Sequence, residues 1–269
     1  MAFTIRKVCA NVAALFILCG AECVNAQVTV SGDYVFKEYK AEKTYQLVGS
    51  AELFGDEVDA VFTNRVNIFM PERLAGYDTE ALRDTIMAHA VGLQEGDVTE
   101  RIEAWVNDTE LVFEPVKLIK PDANSSARVL FDELSAEIQS FTPKLLVYAI
   151  KDYWYLGGAH PCTTMHYINY YIPEQRVLTL NDFFKPGTEE AVFERIKEQL
   201  LEDYPDETFW MDGLPAAGNF KIENDKIVFC YGLYEAGPYV MGLVEVGVYP
   251  GKLRDCITPF AKQFFDLVF

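Results

Sequence analysis

The chain has 269 residues, of which 50% are hydrophobic and 14% aromatic, and its formal net charge is −18. This hydrophobic content is sufficient for a packed core, so the composition excludes a largely disordered chain. The negative charge excludes nucleic acid and anionic lipid surfaces as natural partners, because both attract positively charged proteins, and it favours a cationic partner.

The first 26 residues have the organisation of a secretory signal peptide. Arg6 and Lys7 form a positively charged start, residues 8–20 are mostly apolar, and Val24-Asn25-Ala26 places small residues before a cleavage site at Gln27. The apolar stretch is shorter than the roughly 20 residues that a membrane-spanning helix needs. The sequence therefore predicts an exported protein, periplasmic or at the cell surface, with no membrane span after cleavage.

A lipid anchor is not expected either. Attachment at Cys19 or Cys23 needs a small residue just before the cysteine, and Leu18 and Glu22 occupy those positions. Residues 27–269 contain no further segment that is apolar enough to span a bilayer.

The N-terminal half of the mature chain combines strands with one predicted helix. Residues 43–70 alternate between apolar and polar side chains, as strands do, and Pro71 ends that run. Apolar residues recur at helical spacing in 78–93, which predicts a helix. Residues 112–119 predict a further strand.

The C-terminal half predicts a series of strands with two helical segments. The predicted strands are 128–138, 144–155, 165–172, 176–180, 220–222, 227–233 and 243–248. Glu189 and Glu190 suit the positive end of a helix over 189–203, and 258–269 reads as a terminal helix or tail. Asn224-Asp225 is the expected turn between the fifth and sixth of these strands.

These elements predict an α+β chain of two small lobes, each a mainly antiparallel sheet with one or two helices packed on it. The predicted domains are a signal peptide at 1–26, an N-terminal domain at 27–130 and a C-terminal domain at 131–269.

The cysteines and histidines predict neither a metal site nor a cofactor. Cys162, Cys230 and Cys256 remain after signal cleavage, which allows one disulfide of unassigned pairing and leaves one thiol. His160, Cys162 and His166 share strand parity, but Pro161 interrupts the strand. On a strand, the six-residue separation from His160 to His166 also corresponds to about 20 Å, which is too far for one ion to bridge.

The stretch YLGGAHP at 155–161 is the first candidate binding element. Gly157 and Gly158 permit a close backbone approach and Pro161 fixes the exit of the chain, so the loop either presents His160 to a ligand or makes a bend with a structural histidine. Tyrosine suits binding surfaces because it has a large area, a polar tip and little entropy to lose. The predicted ligand-binding residues are Tyr155, Gly157, Gly158, His160, Tyr234 and Tyr239.

Three stretches from about residue 130 onward resemble a known family. They are KLLVYAIKDYWYLGGAHP at 144–161, YINYYIPEQRVLTLNDFF at 167–184 and FKIENDKIVFCYGLYEAGPYVMGLVEVGVYPGKL at 220–253. In this order they resemble the extracellular domain of RsiV-type, lysozyme-sensing anti-sigma factors, which also occurs beside the PdaC peptidoglycan deacetylase domain. The preceding region resembles, more loosely, the PdaC-associated domain that often precedes this one. The resemblance implies the fold and an extracellular binding role, whereas a cleavable signal stands where the anti-sigma factors carry a membrane span and a sigma-binding segment.

The function predicted from these features is a non-enzymatic, exported binding or sensing module of the cell envelope. Its predicted partner is a basic, lysozyme-like protein or a peptidoglycan-type saccharide. The chain has no G-x-S-x-G, H-E-x-x-H, P-loop or G-x-G-x-x-G motif, and no catalytic residue is assigned. The alternatives are a cell-wall-modifying hydrolase or deacetylase-like enzyme centred on His160, and a purely structural envelope protein.

Overall fold

The computed structural model describes residues 24–48, 60–92, 95–108, 117–119, 128–156, 159–205 and 209–268. These residues belong to two compact units. The first unit takes its described residues from the ranges 1–138 and 150–164, and the second takes them from 139–149 and 165–269.

The first unit is built on long strands. They are β1 (Asn25–Ser31), β2 (Tyr34–Val48), β3 (Ala60–Leu74), β4 (Tyr77–Asp78) and β5 (Lys117–Ile119). Three more strands contribute residues to both units, and they are β6 (Arg128–Phe141), β7 (Leu145–Tyr155) and β8 (Cys162–Tyr171). Two helices complete the first unit, α1 (Glu80–Ala90) and α2 (Val98–Asn107).

The larger sheet has the strand order β1-β2-β3-β6-β7-β8-β9, where β9 is Arg176–Leu178, while β4 pairs with β3 and β5 pairs with β2. β1, β2 and β3 pair in antiparallel fashion, whereas β3 and β6 run parallel. The alternating pattern of β3 explains its placement, because Phe62, Val66 and Ile68 all point to the buried face. Helices α1 and α2 contact this strand through their apolar sides.

The second unit contains the remaining elements. They are α3 (Leu180–Phe183), α4 (Glu189–Asp203), β10 (Phe220–Glu223), β11 (Lys226–Tyr231), β12 (Val244–Val248) and α5 (Pro259–Phe264). The last three strands form an antiparallel sheet in the order β10-β11-β12, and α4 contacts β12. The fully buried ring of Phe183 packs against a cluster of aromatic rings from Phe220, Phe260, Phe264 and Phe265.

The predicted α+β class with two small lobes of sheet and helices is confirmed. The helix predicted at 189–203 has those bounds, and the predicted turn is present with φ of 47° at Asn224 and 64° at Asp225. The helix predicted at 78–93 is shorter, Glu80–Ala90. No helix in the described ranges is both long enough and apolar enough to cross a membrane.

The prediction that Pro71 ends the strand is wrong, because β3 continues through it to Leu74. Pro71 pairs with Phe36 beside a register shift, an irregularity at which a strand tolerates proline.

Two further features of the first unit were not predicted. One is the hairpin of β1 and β2, which turns at Gly32 with a φ of 59°. The other is α2, where the side chain of Asp97 accepts a hydrogen bond from the backbone N–H of Glu100 and the Glu100 side chain accepts one from the backbone N–H of Asp97. This reciprocal capping box is readable in the sequence as D-x-x-E before an amphipathic run.

Candidate binding surface

The structure describes four of the six sequence-predicted binding residues, two in each unit. Tyr155 ends β7 and His160 lies in the segment before β8; both side chains are half-buried and both belong to the first unit. Gly157 and Gly158 lie outside the described residues, so their predicted conformation stays a prediction. Tyr234 and Tyr239 belong to the second unit, where they lie in one loop.

Tyr155 packs near another aromatic ring of the same sheet. Its ring centroid lies 6.2 Å from that of Phe131 on β6, and Phe131 lies 5.0 Å from Tyr153. Tyr155 is therefore part of an aromatic cluster between neighbouring strands.

Residues 232–243, which we name the tyrosine loop, connect β11 to β12 through a chain of tight turns. The backbone N–H of Gly232 donates to the Glu235 carboxylate at 2.6 Å, and the N–H of Met241 donates to the carbonyl of Pro238 at 3.0 Å. A Cβ atom at Gly237 would displace the flexible Met241 side chain, whose sulfur packs directly against the backbone there. The loop is thus built by local hydrogen bonds and packing.

Tyr234 has a backbone conformation that a bulky residue seldom adopts. Its φ is 63°, in the left-handed region, and its side chain is 49% exposed. Its ring centroid lies 5.8 Å from that of Tyr239, with an angle of 42° between the planes. Strained backbone held by its surroundings concentrates at ligand-binding and functional positions, so exposed Tyr234, with half-buried Tyr239 beside it, is a candidate binding position.

Three more exposed apolar residues lie in the tyrosine loop or are bonded to it. Trp210 is 46% exposed and its backbone N–H donates to the carbonyl of Ala236 at 2.9 Å, which brings it to the tyrosine loop. Val240 is 88% exposed, and Leu243 is also exposed. Sequence reasoning missed these three residues, although an apolar YVM run in a loop marked by glycine and proline was a signal for Val240.

The sequence segments that contain these apolar side chains carry negative charge. Residues 198–220 contain six acidic residues and no lysine or arginine, and residues 227–251 contain two acidic residues and no lysine or arginine. Asp212 and Glu235 are exposed. We name the combined feature the acidic aromatic surface, and it consists of Trp210, Asp212, Tyr234, Glu235, Tyr239, Val240 and Leu243.

A polar cluster on the three-stranded sheet has a structural role. The ammonium group of Lys221 lies 2.9 Å from the Glu245 carboxylate, which also accepts a hydrogen bond from the hydroxyl of Tyr167 at 3.2 Å. Burial raises the pKa of Tyr167 to about 12, and burial followed by the nearby Glu245 charge raises the pKa of Cys230 to about 12. A thiol with such a pKa stays protonated at neutral pH, so this cluster does not provide a thiolate nucleophile.

Cys162, Cys230 and Cys256 are all free thiols, so the single disulfide that the sequence allowed is not formed. Within the described part of the chain, no group of three or more histidine, cysteine, aspartate or glutamate residues could hold a metal ion.

Comparison with known proteins finds a family match for part of the chain. Residues 181–248 match the DUF3298 family, which is described as a protein of unknown function. The matched stretch runs from α3 to the end of β12 and includes the tyrosine loop. No curated protein matches the chain.

Two solved structures share the fold over most of the chain. A DUF3298 family member from Bacteroides fragilis is 23% identical, with a TM-score of 0.62, and the alignment covers 84% of this chain and 94% of that one. A DUF3298 family protein from Pseudomonas aeruginosa is 16% identical, with a TM-score of 0.54, and the alignment covers 83% of this chain and 95% of that one. At these identities the likeness shows the fold.

Proposed function

We propose that this protein is an exported, non-enzymatic binding module of the cell envelope that captures a basic protein on its acidic aromatic surface. The observation that carries the proposal is exposed Tyr234, whose backbone is in the left-handed conformation and whose ring contacts half-buried Tyr239, in a loop that also contains exposed Glu235. The resemblance to the RsiV-type extracellular domain, with its lysozyme-sensing role, supports the same proposal, as does the signal-like N-terminus.

Physical chemistry favours a cationic partner for this surface. A lysine or arginine placed over an exposed tyrosine or tryptophan face gains about 0.5–1 kcal/mol, and about 2 kcal/mol once water is excluded. The carboxylates of Asp212 and Glu235 attract the same cations. The net charge of −18 adds a long-range field that speeds the approach of a basic protein.

The charge of Lys221 is already paired with two carboxylates. Lys221, the first base after the acidic stretch, has a largely buried side chain that pairs with Glu223 and Glu245. Its charge is therefore balanced locally. A basic partner meets carboxylates at this surface without competition from the ammonium group of Lys221.

Calorimetric titration of the chain starting at Gln27 with lysozyme, as a basic probe, tests the proposal. We expect saturable binding that weakens as the salt concentration rises, because salt screens attraction between exposed charges. Peptidoglycan fragments are the second titrant. Heat from the fragments but not from lysozyme would indicate that the partner is a saccharide and not a protein. The absence of heat from lysozyme at low salt contradicts the proposal.

The rival prediction, a hydrolase centred on His160, has a separate test. Incubation of peptidoglycan with the protein and with a His160→Ala variant measures release of soluble fragments. We expect no release above a protein-free control from either protein. Release of fragments that depends on His160 would show that the protein is a hydrolase and would contradict the non-enzymatic proposal.

A further inference from the structure

Two aspartates of the first unit form a carboxyl pair that the binding surface does not use. Asp132 on β6 and Asp152 on the neighbouring strand β7 are half-buried, and a hydrogen bond joins their side chains. One carboxyl oxygen of each, Oδ1, is withdrawn from solvent and has no hydrogen-bond partner among the described residues. Because an ionised carboxylate can only accept hydrogen bonds, a bond between two carboxyl groups requires a proton on one of them.

The register neighbours of Asp132 on β3 and β2 direct their polar groups to other partners. Asn64 is the register partner of Asp132 on β3, and its amide group donates to the carbonyls of Val106 at 3.2 Å and Asp108 at 3.1 Å. Lys43 pairs with Asn64 from β2, but its ammonium group bonds to the Asn107 side chain and lies over the Tyr45 ring.

The electrostatic surroundings agree with this geometry. Burial, then the hydrogen bond and charge of Asp152, raise the pKa of Asp132 to about 8, and burial raises the pKa of Asp152. Among the described residues no cation acts on either carboxyl group. The pair therefore resembles two carboxylates that share one proton because both cannot ionise together at low cost.

We infer that Asp132 and Asp152 form a proton-dependent link between β6 and β7, which makes the first unit responsive to the pH of its surroundings. While the shared proton is present, the hydrogen bond joins the two strands. When it is lost, two half-buried negative charges repel each other across the strand pair. β7 leads directly into the segment that contains His160, so the link also supports the start of that loop.

The direction of the pH effect follows from proton counting. Between the ordinary pKa of aspartate, about 4, and the raised folded value, the folded pair holds one proton more than the unfolded chain does. The unfolding equilibrium constant therefore rises about tenfold for each pH unit in this window, and stability falls as pH rises. Above the window both states have lost the proton and the effect levels off.

The test compares the pH dependence of unfolding in the wild type and in Asp132→Asn. Asparagine has the shape of the protonated aspartate, and its amide can donate to the Asp152 carboxylate at every pH. Urea unfolding is measured from pH 5 to 9.5, with exposed Asp33→Asn as the matched control. We expect Asp132→Asn to remove a tenfold-per-unit dependence that the wild type and Asp33→Asn share. An unchanged slope in Asp132→Asn overturns the inference.

Two further measurements keep the inference testable if that variant does not fold. Asp152→Asn places the fixed amide on the opposite strand and should remove the same dependence. In the wild type with isotope-labelled aspartate, carboxyl resonances followed by NMR should show one group that titrates above pH 6. If every aspartate carboxyl titrates below pH 6, the shared proton does not exist.

Discussion

The side-chain amide of Asn169 on β8 pairs with the backbone of β10 at Ile222, as the backbone of a neighbouring strand would. Its side-chain oxygen accepts from the Ile222 N–H at 2.9 Å, and its side-chain NH₂ donates to the carbonyl of Phe220 at 2.8 Å. Asn169 is 1% exposed, so water does not replace either bond. A single amide thus satisfies two buried backbone groups of the three-stranded sheet.

Replacing Asn169 by alanine should destabilise the protein by about 2 kcal/mol or more, because a buried N–H and a buried C=O lose their partners. Urea unfolding measures the loss. The control is Asn181→Ala, whose side chain is exposed at the start of α3 and which should change stability by less than about 0.5 kcal/mol. Equal effects of the two variants would show that the Asn169 bonds contribute nothing.

The left-handed conformation of Tyr234 predicts an order of stability between two variants. Tyr234→Ala and Tyr234→Gly both remove the ring and its contact with Tyr239, so they differ mainly in backbone preference. Glycine adopts a φ of 63° without the steric penalty that alanine has, so Tyr234→Gly should be more stable than Tyr234→Ala by about 1 kcal/mol. Thermal or urea unfolding gives the order, and a more stable alanine variant would show that the loop adopts another conformation.

The three free thiols predict two labelling results. In the native protein, iodoacetamide at pH 8 should modify half-buried Cys162 before Cys230 and Cys256, which are both buried. In the unfolded, non-reduced chain starting at Gln27, thiol titration should return all three. A count of one would mean that a disulfide forms after all.

Local patterns predicted the fold best. The apolar stripe of α4 and the Asn224-Asp225 turn depend on neighbouring residues only, and both have the expected positions. Helix α2 was missed although both its amphipathic run and its D-x-x-E capping signal are local and readable in the sequence.

Contacts between distant segments were less predictable. The pairing of Asp132 with Asp152 depends on which residues of β6 and β7 lie side by side, and alternation along each strand does not give that register. The position of Trp210 depends on one backbone bond to Ala236. Tyr234 and Tyr239 were selected from residue type alone, whereas the left-handed backbone of Tyr234 runs against residue preference.

The central claim is that the acidic aromatic surface binds a basic protein, and the affinity of Tyr234→Ala for lysozyme tests it most directly. The matched control is Tyr77→Ala, which removes a tyrosine that is 51% exposed, close to the 49% of Tyr234, from the first unit. We expect Tyr234→Ala to raise the Kd for lysozyme at least tenfold, equivalent to about 1.4 kcal/mol. Tyr77→Ala should leave Kd unchanged. Equal Kd values for the wild type and both variants would contradict the account.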